Sequence, residues 1–177
     1  PMSGFGKKQE QRAIKRLTIS QLAGKELSKQ AESHYEQGDI KKAENLYKQA
    51  INAGFASQLI TSRLGEICSR SGRAEEALSW VLQTLEINPK HSDNYKSYAR
   101  LGIIYKDLGD LDKALSSTLK SLELKPDNPT VLINLGGIYK HLGQLDHALA
   151  STLKSLELKP DNPTAHMNLG GIYKDLG

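Results

Sequence analysis

Tyr105, Tyr139 and Tyr173 recur at a constant spacing of 34 residues, and Gly102, Gly136 and Gly170 recur with them, as do Pro126 and Pro160. A period of this length is that of one helix-turn-helix unit, which is too small to bury its own apolar face and must stack on copies of itself. The chain is therefore expected to be an all-α, right-handed solenoid. A surface of that kind holds a partner rather than transforming one.

The breaks between helices are written locally. Gly38, Gly72, Gly109, Gly143 and Gly177 stand at one point of every unit, where a first helix needs a left-handed residue to stop. Second helices end before Pro89, Pro126 and Pro160, because a residue preceding proline is pushed out of the helical region. In Asp127-Asn128-Pro129 and Asp161-Asn162-Pro163, Asn caps the next helix and Pro takes its first position.

Extending the register places units at 24–57, 58–91, 95–128 and 129–162, with a partial unit at 163–177. Pro89 and Pro126 are 37 residues apart rather than 34, so three residues are inserted near His91, Ser92 and Asp93. Small residues on the first helices (Ala31, Gly65, Gly102, Gly136, Gly170) face alanines on the second (Ala43, Ala77, Ala114, Ala148), which permits close crossing. Leu64, Leu101, Leu135 and Leu169 are assigned to the core with the repeated tyrosines, whose hydroxyls reach toward the surface.

The net charge of +4 is accounted for by residues 1–20, where Lys7, Lys8, Arg12, Lys15 and Arg16 oppose Glu10 alone. This stretch reads as a basic, solvated arm, with Thr18 or Ser20 capping the first packed helix of a solenoid over 21–177. Pro1 before Met2 reads as an added residue outside the fold. The balanced charge of the repeats argues against a nucleic-acid partner. No apolar run approaches the roughly 20 residues of a membrane span, and a single cysteine, Cys68, makes no internal disulfide. A cytoplasmic protein without membrane contact is expected.

Leu101-Gly102, Tyr105, Ala114 and Pro126, repeated one unit later, resemble the tetratricopeptide repeat family over residues 24–177, in a consensus-like array similar to those of marine cyanobacteria. His34 and Cys68 depart from that pattern at the aromatic place, and Phe55 at the terminal proline. Thr118 with Ser121 and Thr152 with Ser155 replace larger residues of the second helices, predicting hydroxyls bonded back to helix carbonyls and looser packing. Ala114 to Thr130 and Ala148 to Thr164 differ only at Ser116 and Ala150, the mark of a recent duplication.

The resemblance implies a concave groove lined by first helices. Its places in the middle units hold Arg63, Arg70, Lys96, Arg100, Lys106 and Lys140 against Glu66 and Asp107, with Asn134 and His141 beside them. A groove of this sign favours an acidic peptide, and charge reversal at Arg63 and Arg100 is expected to weaken it. Lys96 and Arg100 match half of the family's carboxylate clamp, but Ser28, Glu32 and Arg63 depart from the other half. Asn134 and Asn168 match the asparagine ladder of glycosyltransferase-associated superhelices, whose amides grip a peptide backbone.

Catalytic patterns are missing. His34, His91, His141, His147 and His166 form no metal-ligand motif, Cys68 has no activating base nearby in sequence, and Gly136-Gly137 lies within a helix rather than after a strand. No cofactor, metal or catalytic residue is expected. The reading is a non-catalytic protein-interaction module with Arg63, Arg70, Lys96, Arg100, Lys106, Asn134, Lys140 and Asn168 as contacts. Two alternatives stand beside it. One is the recognition arm of a larger enzyme, of glycosyl- or sulfotransferase type, with its catalytic domain beyond Gly177; the other is a self-assembling scaffold. The final helix keeps Leu169, Ile172, Tyr173 and Leu176 of the internal pattern, so it is expected to belong to a longer stack and to self-associate through its apolar face.

Overall fold

A computed structural model describes residues 4–177, with side chains from Thr18 onward. The described residues form nine helices and no strand. They are α1 (Gly4–Glu36), α2 (Ile40–Asn52), α3 (Gln58–Arg70), α4 (Ala74–Ile87), α5 (Asn94–Asp107), α6 (Leu111–Leu124), α7 (Pro129–His141), α8 (Leu145–Leu158) and α9 (Pro163–Leu176). Successive helices pair as antiparallel hairpins, α1 with α2 through α7 with α8. First helices also touch across units, α3 with α5, α5 with α7 and α7 with α9, and together they make the inner face of an all-α solenoid.

The turn chemistry follows the sequence. At Gly109, φ is +81°, and the next residue's N–H (Asp110) reaches back to the Tyr105 carbonyl at 2.8 Å, closing the last turn of α5. The same bond recurs from Gln144 to Tyr139 and from Arg73 to Cys68. Asn128 and Asn162 accept from the first-turn amides of α7 and α9, and Pro129 and Pro163 open those helices. Asn88, Lys125 and Lys159, each before a proline, leave the helical region.

Close crossing of the hairpins rests on the absence of a side chain at one place. A Cβ added at Gly136 would lie 2.5 Å from Thr152 Oγ1 and 3.2 Å from the Ala148 carbonyl, and one at Gly65 would lie 2.7 Å from Val81 Cγ2. Gly24 does the same for α1, where a Cβ would lie 2.9 Å from the Ala50 carbonyl. Packing across the hairpins is thus tight, contrary to the loose packing expected from the threonines and serines. Thr118 and Thr152 do bond back to Ala114 and Ala148, both at 2.8 Å. The serines instead bridge helices: Ser121 donates to the Tyr95 carbonyl at 2.7 Å and Ser155 to that of Pro129 at 2.9 Å. Each hydroxyl thereby ties a second helix to the first turn of the facing first helix.

Two further expectations are corrected. The fully buried aliphatics of the later units are Ile104, Ile138 and Ile172, each one residue before a repeated tyrosine, whereas Tyr105 and Tyr139 are only half-buried and Tyr173 is 52% exposed. The rings lie along the hairpin edge, where Tyr139 meets the His147 ring at 5.1 Å. Neither Thr18 nor Ser20 caps a helix, because α1 runs through both. No glycine or proline interrupts residues 7–23, so nothing stops propagation, and Ser20 donates to the Ala53 carbonyl instead, at 2.9 Å. Pro1 and Met2, and the side chains of the basic arm from Lys7 to Arg16, lie outside the described residues.

The inserted residues form a short turn held by Asn94. This buried amide donates to the carbonyls of Asn88 and Pro89, both at 2.9 Å, and accepts from Gln58 at 3.1 Å. The turn is thereby fixed against α3 and brings His91 and Asp93 to the inner face.

Candidate functional site

The inner face is built from the outward places of α1, α3, α5, α7 and α9, and charge is its main feature. Arg63, Arg70 and Arg100 converge on one carboxylate: Glu66 lies 3.6, 3.0 and 3.3 Å from their guanidinium nitrogens. Arg63 also chelates Glu32 of α1, through Nε at 3.1 Å and through Nη2, and its guanidinium covers the Tyr35 ring at 4.2 Å. Tyr47, the largest fully buried side chain, donates its hydroxyl to the same Glu32. Burial alone would raise the pKa of Glu32, but hydrogen bonds from Arg63 and Tyr47 outweigh it and hold the carboxyl below its ordinary value. Three units are thus linked along the inner face by alternating charge, from Glu32 through Arg63 and Glu66 to Arg100.

Arg100 is held differently from Arg63. It sits deeper, touches the Ser62 carbonyl and Glu66 at 3.3 Å each, and burial pulls its pKa below the ordinary arginine value despite Glu66. Its charge is only partly compensated. The other residues singled out from the sequence spread along the same helices. Lys96 pairs with Asp93 at 2.7 Å and Lys140 with Asp175 at 3.2 Å, while Lys106 forms no ion pair among the described residues. Asn134 stands between α5 and α7, and Asn168 occupies the equivalent place on α9.

Counting the middle units alone gave an excess of positive charge and left Glu32, Asp93 and Asp175, which cancel part of it, out of the balance. The signal was available. Glu32 precedes Glu66 by one period, and Asp175 follows Asp107 by two.

Two clefts open on this face. One, of about 340 Å³, lies between α3 and α5, with Arg63, Glu66 and Arg100 toward one side and His91, Asp93 and Lys96 toward the other. The second, of about 280 Å³, lies between α5 and α7 and is lined by Tyr95, Ala99, Ile103, Asn128, Thr130, Val131 and Asn134, with Lys96 and Arg100 on their shared border.

Where α2, α3 and α4 meet, the fold brings together residues that sequence reasoning left apart. Glu44, Cys68 and Glu76 place ligand-type atoms within 4.8 Å of one another. Arg73 and Lys48 already occupy those carboxylates, with Arg73 bound to Glu44 at 2.8 Å and Lys48 to Glu76 at 2.9 Å. The Arg73 hydrogen bonds hold Glu44 down to about 2, and burial pushes the Cys68 thiol up to about 11. A protonated thiol beside two paired carboxylates is neither a nucleophile nor a prepared cation site.

No helix of the described residues is long and apolar enough to cross a membrane. No curated protein matches the chain significantly. Among solved structures it is similar to Cut9 in the APC/C hetero-tetramer Cut9-Hcn1, with a TM-score of 0.76 and 19% identity over 82% of this chain, which spans 29% of that one. It is also similar to MamA from Desulfovibrio magneticus RS-1, with a TM-score of 0.75 and 18% identity over 86% of this chain and 85% of that one. YrrB, described as a TPR protein with an unusual peptide-binding site, gives a TM-score of 0.69 and 22% identity over 77% of this chain and 69% of that one. In sequence, the profile described as "Tetratricopeptide repeat" matches residues 57–127 and that described as "TPR repeat" matches 136–177. Helix pairs, glycine-mediated crossings and matched sequence together place the chain in the tetratricopeptide repeat family, as a protein-interaction solenoid.

Proposed function

We propose that this chain is a non-catalytic interaction module whose inner face holds a negatively charged, extended segment of a protein partner. The observation that carries this reading is the convergence of three guanidiniums on Glu66, with Glu32 the only other carboxylate among the described residues bonded to any of them. Two negative charges face three positive ones, and the least compensated, Arg100, borders both clefts. A carboxylate from a partner supplies the missing charge. Lys96, Lys106, Asn134, Lys140 and Asn168 continue the contact, while Arg63 and Arg70 act mainly by holding Glu66 and Glu32. A cytoplasmic location is consistent with the single buried thiol.

Fluorescence anisotropy with a library of acidic, extended 12-residue peptides tests this reading. Binding should weaken as salt rises, and Arg100→Gln and Lys106→Gln should each lower affinity several-fold. Lys113→Gln, on the outer helix α6, should leave it intact. Equal sensitivity to inner and outer substitutions contradicts the reading.

A second reading, self-association, is favoured by α9. Met167 is 70% exposed, and Tyr173 and Leu176 are exposed further along the same helix. Light scattering that reports a monomer up to millimolar concentration contradicts it.

A further inference from the structure

Three pairs of residues one period apart mark corresponding places on successive first helices: Lys106 and Lys140, Gly137 and Gly171, His141 and Asp175. At the step from α7 to α9 the second lysine, the second glycine and the acid act together. Lys140 Nζ would lie 2.7 Å from a Cβ added at Gly171, and it pairs with Asp175 Oδ2 at 3.2 Å. The missing side chain of Gly171 is therefore the room in which a lysine from α7 lies across α9 and meets an acid there.

The preceding step, from α5 to α7, has the same lysine and the same glycine but a different third residue. The two helices touch there as α7 and α9 do. His141 stands where Asp175 stands one unit later, and its ring is drawn back onto its own helix, with Nδ1 donating to the Gly137 carbonyl at 2.7 Å. Asp107 adjoins Lys106 in sequence, but helix neighbours do not face each other. Lys106 is half-buried and forms no ion pair among the described residues. A Cβ added at Gly137 would meet nothing within 4 Å, so Lys106 is not drawn across α7 as Lys140 is drawn across α9.

We infer that a carboxylate side chain of the partner segment docks over Gly137 and pairs with Lys106, as Asp175 pairs with Lys140 one unit later. The fold itself shows which group suits the place, because at the corresponding step it uses an acid of its own. This rests on the inner face being the binding surface and adds to it a second anion position, near the C-terminal end of α5. It also gives Gly137 a role. A bare helix surface is what lets the lysine and its acid lie against α7, and a methyl group there would stand in the way of the lysine.

The test uses the full chain and a labelled 12-residue peptide of alternating Glu and Ser, followed by fluorescence anisotropy at low salt. His141→Asp supplies the acid from within and should lower affinity about fivefold, whereas His147→Asp on α8, which adds the same charge, should leave it intact. Gly137→Ala should lower affinity several-fold without lowering the melting temperature, and Gly170→Ala should leave affinity intact. Asp175→Asn releases Lys140 for the same use and should tighten binding, as Asp146→Asn on α8 should not. Unchanged affinity in folded His141→Asp or folded Gly137→Ala overturns the inference, and the inner-face reading then stands if Arg100→Gln still weakens binding. If either variant unfolds, as a circular dichroism melt would reveal, the gain expected of Asp175→Asn decides in its place. Failure of the peptide to bind the native chain overturns both.

Discussion

Arg100 Nη2 lies 3.3 Å from Glu66 Oε2, and that carboxylate is shared with Arg63 and Arg70. One acid thus offsets part of the repulsion among three guanidiniums from two adjacent units. Glu66→Gln should remove that compensation, lowering stability by about 1–2 kcal/mol in urea unfolding. The same substitution should tighten binding of an acidic peptide several-fold at low salt. A variant that loses stability without gaining affinity contradicts the role given to the inner-face charge.

Glycines two apart in function can be adjacent in sequence. Gly136→Ala forces a methyl group toward Thr152 and should destabilise the chain by about 1–3 kcal/mol. Gly137, beside it, faces open space, as does Gly170. Alanine at either of these should stabilise by about 0.5–1 kcal/mol, because it restricts the unfolded chain and favours the helix. Thermal melts of the three variants check the contrast.

Acid should weaken the contact between the first two hairpins, where Glu44 of α2 meets Arg73 at the start of α4. The folded pKa of Glu44, held down to about 2 by Arg73, lies below the ordinary carboxylate value of 4.5. The contribution is therefore complete above that ordinary value and is lost as pH falls toward about 2. Glu44→Gln should be less stable at neutral pH and should show a shallower loss of stability between about pH 5 and pH 2. An unchanged pH profile contradicts the pairing.

The Cys68 thiol, buried and shifted up to about 11, should react slowly with iodoacetamide in the native chain at pH 8. Labelling should accelerate by orders of magnitude in urea. Native labelling as fast as unfolded labelling would contradict a closed hairpin at this place.

Much of the fold was legible because its determinants are local. Gly109, Asn128 and Pro129 act within one turn of themselves, so their spacing alone marks the helix boundaries. The long first helix was less legible, since residues 7–23 contain no stop signal and only the Ser20 contact with Ala53 shows what its hydroxyl does there. Tyr105 and Ile104 are neighbours on one helix, and which of them points inward depends on a rotation that periodicity leaves open. The site was legible only by residue type. Arg63 and Arg100 stand at equivalent places, yet one is locked to Glu32 and the other is half-compensated, a difference set by side chains from other units. The insertion announced itself as a spacing of 37, but its anchoring by Asn94 depends on a buried amide that no pattern marks.

The central claim is that ligands meet the first helices and not the second. Amide chemical-shift mapping during titration with the acidic peptide of highest affinity tests it directly. The account predicts the largest shifts in α3, α5 and α7, centred on Glu66, Arg100 and Asn134, with α4, α6 and α8 little changed. Shifts concentrated on α4, α6 and α8 would contradict it.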